Sequence, residues 1–307
     1  MTRALSAPRP PGILEPDLEA GPVKGKRNRF WAGRNKYLLG AICIVICLVM
    51  ITPLVLSVAA SLKSPSEAAA VPPLYFPSEL SLENYDKLWN YGSGLPHYLG
   101  NSLFTALMTI VITLLLTVPA GYGLARFPIP GKEFIFVLLL LALIIPYQAL
   151  LTPMFLMFST LGLTNNLLGL AIVHTTIQLP FSLYIMRNAF EAVPRELEEA
   201  ALVDGANSWQ ILRRVFLPTM VPAVITVTLF AFVTSWNEFL GALVMMRNDS
   251  GLTLPLLLAL TRTVTSLGST DWGMLQAGVT IAVIPCVVVF LLLQRYYVAG
   301  LYSGAVK

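Results

Sequence analysis

Charge is scarce in this sequence. Lys, Arg, Asp and Glu make up 12% of its 307 residues, where a soluble domain carries about a quarter. Too few ionic groups remain to cover a water-facing surface, so an aqueous enzyme, a disordered chain and a coiled coil are all excluded. Cysteine is almost as rare. Cys43, Cys47 and Cys286 all lie inside apolar runs, which gives neither a disulfide framework nor a metal quartet. Cys43 and Cys47, one helical turn apart, read as packing residues. The chain also lacks a phosphate-binding G-x-x-x-x-G-K-[ST] loop: Gly131-Lys132 is followed by Glu133 and has no upstream glycine. It therefore binds no ATP by that route. With only two histidines and no clustered His, Asp or Ser chemistry, no catalytic residue and no metal site is expected.

Apolar residues are abundant, at 56%, and mean hydropathy is +0.73. A bilayer-crossing helix needs about 20 predominantly apolar residues, because its backbone must satisfy its own hydrogen bonds in hydrocarbon. The sequence predicts an all-α membrane protein with six such spans, at about 37–62, 100–125, 134–158, 167–186, 219–244 and 274–294. Residues 134–186 carry no Asp, Glu, Lys or Arg and are long enough for two helices. The polar stretch from Thr160 to Asn166 divides them.

Basic residues set the orientation. With six spans, the N-terminus, the 126–133 and 187–218 loops and the C-terminus share one side, which holds 16 Lys and Arg against 4 on the other. Both termini are thus expected in the cytoplasm, in a cell membrane. The net charge of +4 follows from this placement and implies no nucleic acid partner. Residues 1–36, rich in Pro and Gly and then basic, read as a disordered cytoplasmic tail ending in a positive anchor, and 37–307 as the permeating domain. Aromatic residues at span ends (Trp31, Tyr37, Trp272, Tyr296, Tyr297) fit interfacial belts or ordinary packing. Prolines 53, 119, 146, 153, 180, 222 and 285, within or at the ends of spans, suit kinked helices around a path or are simply tolerated.

The richest polar chemistry lies between spans four and five, in 187–218. Pro194 suits the first turn of a helix. Glu196, Glu198 and Glu199 follow where the helix dipole favours negative charge. Leu197, Ala200 and Ala201 recur at helical spacing. Asp204-Gly205 stops the helix, since glycine readily takes a left-handed backbone. A second helix starts near Asn207 or Ser208, runs to Leu217, and passes through Pro218 into span five. The first helix is too short to span. Its small apolar face suits a groove on another protein, and its acidity argues against lying on anionic lipid.

These residues carry a resemblance. Glu199-Ala200-Ala201, three residues, Gly205, nine residues, and then Val215-Phe216-Leu217-Pro218 resemble the EAA motif of ABC importer permeases, with Val215 where the family usually has Ile. Asn101-Ser102, Ala125-Arg126-Phe127, Trp236-Asn237-Glu238-Phe239 and the ending Ala299–Lys307 resemble the carbohydrate-uptake, MalG-like branch. The resemblance implies a non-catalytic permease subunit that pairs with a second, homologous permease. It further implies two copies of a cytoplasmic ATPase, carrying ATP and Mg, and an extracytoplasmic solute-binding protein. In that reading the 187–218 segment is a cytoplasmic coupling loop. Glu196, Glu199, Ala200, Ala201, Asp204, Gly205, Leu217 and Pro218 would dock on the ATPase. No cofactor would be bound by this chain.

Glu238 is the one acid placed within a span, where an ionisable group marks function by default. It lies roughly six residues, about 9 Å, from the outer end. Trp236, Asn237 and Glu238 would line a path or outer gate for a polyol; a structural hydrogen bond to a neighbouring helix is the equal alternative. His174, alone in span four, reads as a packing or hydrogen-bonding residue. The external segments 63–99 and 245–273 would face the binding protein. An ion-coupled secondary transporter using Glu238 is the competing function, weakened by the single acid and by the absence of an inverted repeat.

Overall fold

The computed structural model describes residues 29–70, 72, 74–261 and 270–305, with side chains described only between 36 and 295. The basic tail before Arg29, Arg262, and the side chains of Trp31, Tyr296, Tyr297 and the C-terminal motif from Ala299 lie outside the described residues. In chain order the helices are α1 (Arg29–Ser61), α2 (Pro65–Ala68), α3 (Glu83–Trp89), α4 (Leu95–Arg126), α5 (Lys132–Leu141), α6 (Tyr147–Thr160) and α7 (Leu167–Ala192). Then come α8 (Arg195–Val203), α9 (Ser208–Ile211), α10 (Leu217–Thr219), α11 (Val221–Asn237), α12 (Leu240–Met245), α13 (Leu254–Thr261) and α14 (Trp272–Ala305). No strand occurs among the described residues.

Among the described residues, four helices are long and apolar enough to cross a membrane: α1 from Lys36, α4, α7, and α14 up to Arg295. Two bent pairs raise the number to six if each pair is one span. The chain divides into two compact units at Thr52. In the first, the helical stretch up to Thr52 presents an apolar, exposed surface.

The second unit, from Pro53 onward, is built on α4 and α7, with α11 against both and α14 against α11 and α3. One row of α4 is buried along its length: Asn101, Thr105, Thr109, Thr113, Thr117 and Gly121, each one turn from the next. Thr105, Thr109 and Thr117 return their hydroxyls to the carbonyl four residues back, each at 2.8 Å. Thr113 Oγ1 instead accepts from Gln178 Nε2 of α7 at 2.8 Å. Small side chains let the two backbones approach closely in a medium that gives apolar groups no drive to associate. At Gly121 the approach is tightest, since an added Cβ would stand 3.0 Å from Met186 Cβ and 3.1 Å from Arg187 N.

Two of the expected spans, 134–158 and 219–244, are sharply bent or broken. In the first, α5 and α6 meet at 103°. Proline disfavours helical geometry in the residue before it, and Ile145 accordingly turns extended (φ −77°, ψ 121°) ahead of Pro146. In the second, the stretch Ser208–Thr219 meets α11 at 80°, and the helix then stops at Asn237. Glu238 is extended (φ −74°, ψ 127°), and α12 restarts at Leu240. Prolines 53, 119, 153, 180 and 285 run inside helices without such a break.

Candidate functional site

Local chemistry builds the 187–218 segment. Pro194 holds the cap position of α8 and Gly205 takes φ +80°. Ala206 N–H reaches Ala201 O at 2.9 Å and Gly205 N–H reaches Leu202 O at 3.0 Å. This is the Schellman pattern that ends a helix on a left-handed residue. Asn207 and Gln210 then form a reciprocal capping box, at 2.9 Å in both directions, that starts α9. A π-helical turn, Leu212–Phe216, joins α9 to α10.

One face of this segment is fixed to the bundle. Phe216, Ile211, Leu212 and Val193 are buried with Tyr122, Met186 and Phe190. The rings of Tyr122, Phe190 and Phe216 stand 5.3–5.4 Å apart, centre to centre. Arg126, at the end of α4, is the fastener. Its Nη2 donates to the carbonyls of Phe190 and Val193 at 2.5 Å each, and Nη1 lies 3.6 Å from Glu198 Oε2. Its guanidinium stacks 4.9 Å from the Phe216 ring centre. Tyr122 Oη adds a 3.5 Å contact to Glu198 Oε1. Nearby, Arg187 binds Glu191 Oε1 at 2.8 Å and Glu133 Oε1 at 2.5 Å, tying α7 to α5.

The other face is open. Glu196, Glu199, Ala200, Asp204, Gly205 and Pro218 are exposed; Ala201 and Leu217 are half-buried against the aromatic cluster. Leu197, Leu202, Val203 and Trp209 are exposed as well, Val203 at 88% and Trp209 at 67%. Leu202, Val203 and Trp209 were not among the expected coupling residues. Their signal was available: large apolar groups in a stretch that cannot enter the bilayer.

The residues of the expected gate are separated. Asn237 is exposed and bonds only within its own helix, to Val233 O at 2.8 Å. Trp236 is buried, stacks on Phe232 and donates to Ala282 O of α14 at 3.0 Å. Glu238 is 8% exposed. Its Oε1 accepts from Tyr147 Oη at 2.7 Å and Gly241 N at 2.8 Å, while its Oε2 accepts from Ala242 N at 3.3 Å. His174 Nε2 lies 3.0 Å from Oε2, and Nδ1 lies 2.8 Å from Ser235 Oγ. A carboxylate only accepts, so Nε2 carries the proton and Nδ1 is free to accept from Ser235. The hydroxyl of Thr109 reaches Ser235 at 3.3 Å. Glu238 therefore caps α12 and joins the break in span five to α6 and α7. His174 is the hydrogen-bonding residue expected. Among the described residues, no group of three or more His, Cys, Asp or Glu is placed to hold a metal ion.

On the opposite end of α4, Asn101 Nδ2 donates to Ser250 O and Leu252 O at 2.9 Å each, and Ser102 Oγ accepts from Leu254 N at 2.8 Å. Asp249 accepts from Ser93 Oγ at 2.5 Å and from Tyr98 Oη at 2.9 Å. These bonds hold the Asp249 carboxyl below the usual aspartate range. The segment from Asp249 to Leu254 is thus clasped to the start of α4.

Residues 117–301 match the family described as binding-protein-dependent transport system inner membrane component. The chain is 37% identical over 231 residues to the probable ABC transporter permease protein YurM of Bacillus subtilis, covering 75% of each. It is 30% identical over 270 residues to the diacetylchitobiose uptake system permease protein DasC of Streptomyces coelicolor, covering 86% of this chain and 94% of that one. A bacterial ABC transporter involved in the import of the acidic polysaccharide alginate is similar in structure. Its TM-score is 0.73 at 25% identity, over 90% of this chain and all of the other.

Proposed function

The chain belongs to the family of binding-protein-dependent transport system inner membrane components and is a non-catalytic ABC permease subunit; from that premise we propose that it carries a carbohydrate. DasC takes up diacetylchitobiose and the alginate system imports a polysaccharide, so an oligosaccharide or related polyol is the substrate class. ATPase and binding-protein partners follow from the family. The proposed assembly holds two ATPase copies, which carry the ATP and Mg, and a second homologous permease. Each bent pair counts as one span, giving six, with both termini in the cytoplasm. The ion-coupled reading of Glu238 finds no support among the relatives.

The observation that carries the proposal is the two-sided character of α8. Its exposed face presents Glu196, Glu199, Leu202 and Val203 with no described residue packed against it, while Glu198 and Ala201 turn inward to Arg126 and the aromatic cluster. A stiff, short helix fixed at its back transmits displacement that a loop would absorb. Motion of the ATPase would pass through Arg126 to α4 and through Phe216 to α11. At the far end, Glu238 and Trp236 would hold the break of span five in place while exposed Asn237 faces the path or the outer gate.

Gly205 tests the docking. A Cβ there meets nothing within 4 Å, so the chain itself has room for a side chain. In the reconstituted transporter, Gly205→Asn should retain transport, because Asn tolerates a left-handed backbone. Gly205→Val should reduce transport and ATPase association together. Equal, full activity of both variants would remove α8 from the coupling path.

A further inference from the structure

Lys63 is not among the coupling or path residues proposed above, yet it is built into the molecule. It is 7% exposed, and its backbone is held from two directions. Asn84, fully buried on α3, donates through Nδ2 to Ser61 O at 3.0 Å and Lys63 O at 2.7 Å, while Ser81 N donates to Leu62 O at 2.9 Å. The start of α14 closes on the same asparagine: a Cβ at Gly273 would stand 2.4 Å from Asn84 Oδ1. The frame around Lys63 is therefore rigid.

The charge it carries is not balanced. Its Nζ donates to Leu74 O, and among the described residues it forms no ion pair. Glu67 feels the Lys63 charge without pairing with it, and spends Oε1 on Ser78 N at 3.1 Å. An ammonium has three donors, so two remain. Taking an unpaired charge out of water costs several kcal/mol in general, and a buried lysine with one neutral acceptor is short of an anion.

A pocket of about 260 Å³ opens beside it, lined by Ser57 and Ala60 of α1, Gln276 of α14, Leu56 and Tyr75. Ser57 Oγ donates to Gln276 Oε1 at 2.5 Å, which leaves the Gln276 amide nitrogen as a second uncommitted donor on the wall. The polar side of the pocket is thus made of donors, one of them charged. The rest of the lining, Pro53, Leu56, Ala60 and Leu74, is apolar.

Its height in the membrane identifies the ligand class. The 26 residues from Lys36 to Ser61 measure roughly 39 Å at the helical rise, against a hydrocarbon core of about 30 Å. Lys63, two residues beyond, stands at headgroup level, and the pocket's Leu56 and Pro53, two to three turns back along α1, stand at the depth of acyl chains. We propose that the pocket between the end of α1 and the start of α14 binds the phosphate of an anionic phospholipid. Lys63 and Gln276 would hold the phosphodiester, and the α1 surface would hold an acyl chain. The site would fix α1 to α14 through a lipid.

The test uses the complete transporter in nanodiscs of phosphatidylglycerol or of phosphatidylcholine, with retained lipid counted by native mass spectrometry. The wild type should retain phosphatidylglycerol. Lys63→Gln should bind it roughly tenfold or more weakly, the scale of a charged hydrogen bond, and Lys63→Arg should keep most of the binding. Ser57→Leu, which fills the pocket without touching the charge, should displace the lipid as well. This variant guards against a folding defect at Lys63. Equal retention in the wild type and both disruptive variants would overturn the proposal. So would displacement of the lipid by millimolar inorganic phosphate, which would make free phosphate the ligand. Crosslinking of a photoreactive group at Ser57 to the second permease would also overturn it, by making the pocket a subunit contact.

Discussion

The Cβ that Gly241 lacks would stand 2.9 Å from Oε2 of Glu238. The buried carboxylate sits flat against the start of α12, close enough to accept from two successive amides, and only glycine leaves that surface clear. Glu238 is thereby fixed in one position between α6, α7 and α12.

Gly241→Ala should therefore destabilise the protein more than an alanine in a membrane helix otherwise would. It pushes the carboxylate off its amides and away from His174, and an unsatisfied buried group costs about 1–3 kcal/mol. The thermal unfolding midpoint in detergent should fall by several degrees. Gly40→Ala serves as the control, since a Cβ there meets nothing within 4 Å. An unchanged midpoint for Gly241→Ala would show that the carboxylate is not seated as described.

Arg126 allows a sharper separation of charge from geometry. Its Nη2 bridges two carbonyls while Nη1 faces Glu198, a fork that a lysine cannot reproduce. Arg126→Lys should keep the protein assembled yet lower ligand-stimulated ATP turnover several-fold. Glu198→Gln, which removes only the 3.6 Å ion pair, should have the smaller effect. If Glu198→Gln were the more damaging of the two, the carbonyl bridge would not be the fastener.

Much of the 187–218 segment is legible because its signals are local. Pro194, Gly205 and the Asn207–Gln210 pair act on their own backbone or on residues three away, and each does what its chemistry predicts. Three adjacent glutamates were not separable in the same way. Only tertiary packing turns Glu198 to Arg126 and leaves Glu196 and Glu199 in the open. Arg126 itself reads in sequence as an interfacial charge, because the carbonyls it binds lie more than sixty residues away. Among the seven span prolines, Pro146 sits at the 103° break and Pro222 beside the 80° one, while the other five run inside helices, and nothing local to each proline tells these cases apart. The buried row from Asn101 to Gly121 has a four-residue period that hydropathy does not register, because threonine is nearly neutral on such a scale.

The exposed apolar residues of α8 and α9 should matter for association and not for folding. Val203→Asp and Trp209→Ser leave the core untouched, as both side chains stand largely outside it. Each should weaken co-purification of the ATPase, with the midpoint of thermal unfolding of the isolated chain unchanged. Loss of stability in the isolated chain would mean that these residues pack internally.

Asp249 gives the protein an acid-sensitive clasp. Its carboxyl titrates below the ordinary aspartate value because Ser93 and Tyr98 donate to the ionised form. A group with a lowered folded value stabilises the fold above its unfolded pKa, about 3.9, and loses that contribution as pH falls through the folded value. Hydrogen exchange in the segment around Asp249 to Leu252 should therefore speed up as pH drops below about 4, after correction for intrinsic rates, and stay flat from 5 to 8. Asp249→Asn should abolish the pH dependence and exchange at the faster, acid-state rate throughout. Identical protection in the wild type and Asp249→Asn at neutral pH would show that the three side chains contribute nothing to holding this segment on α4.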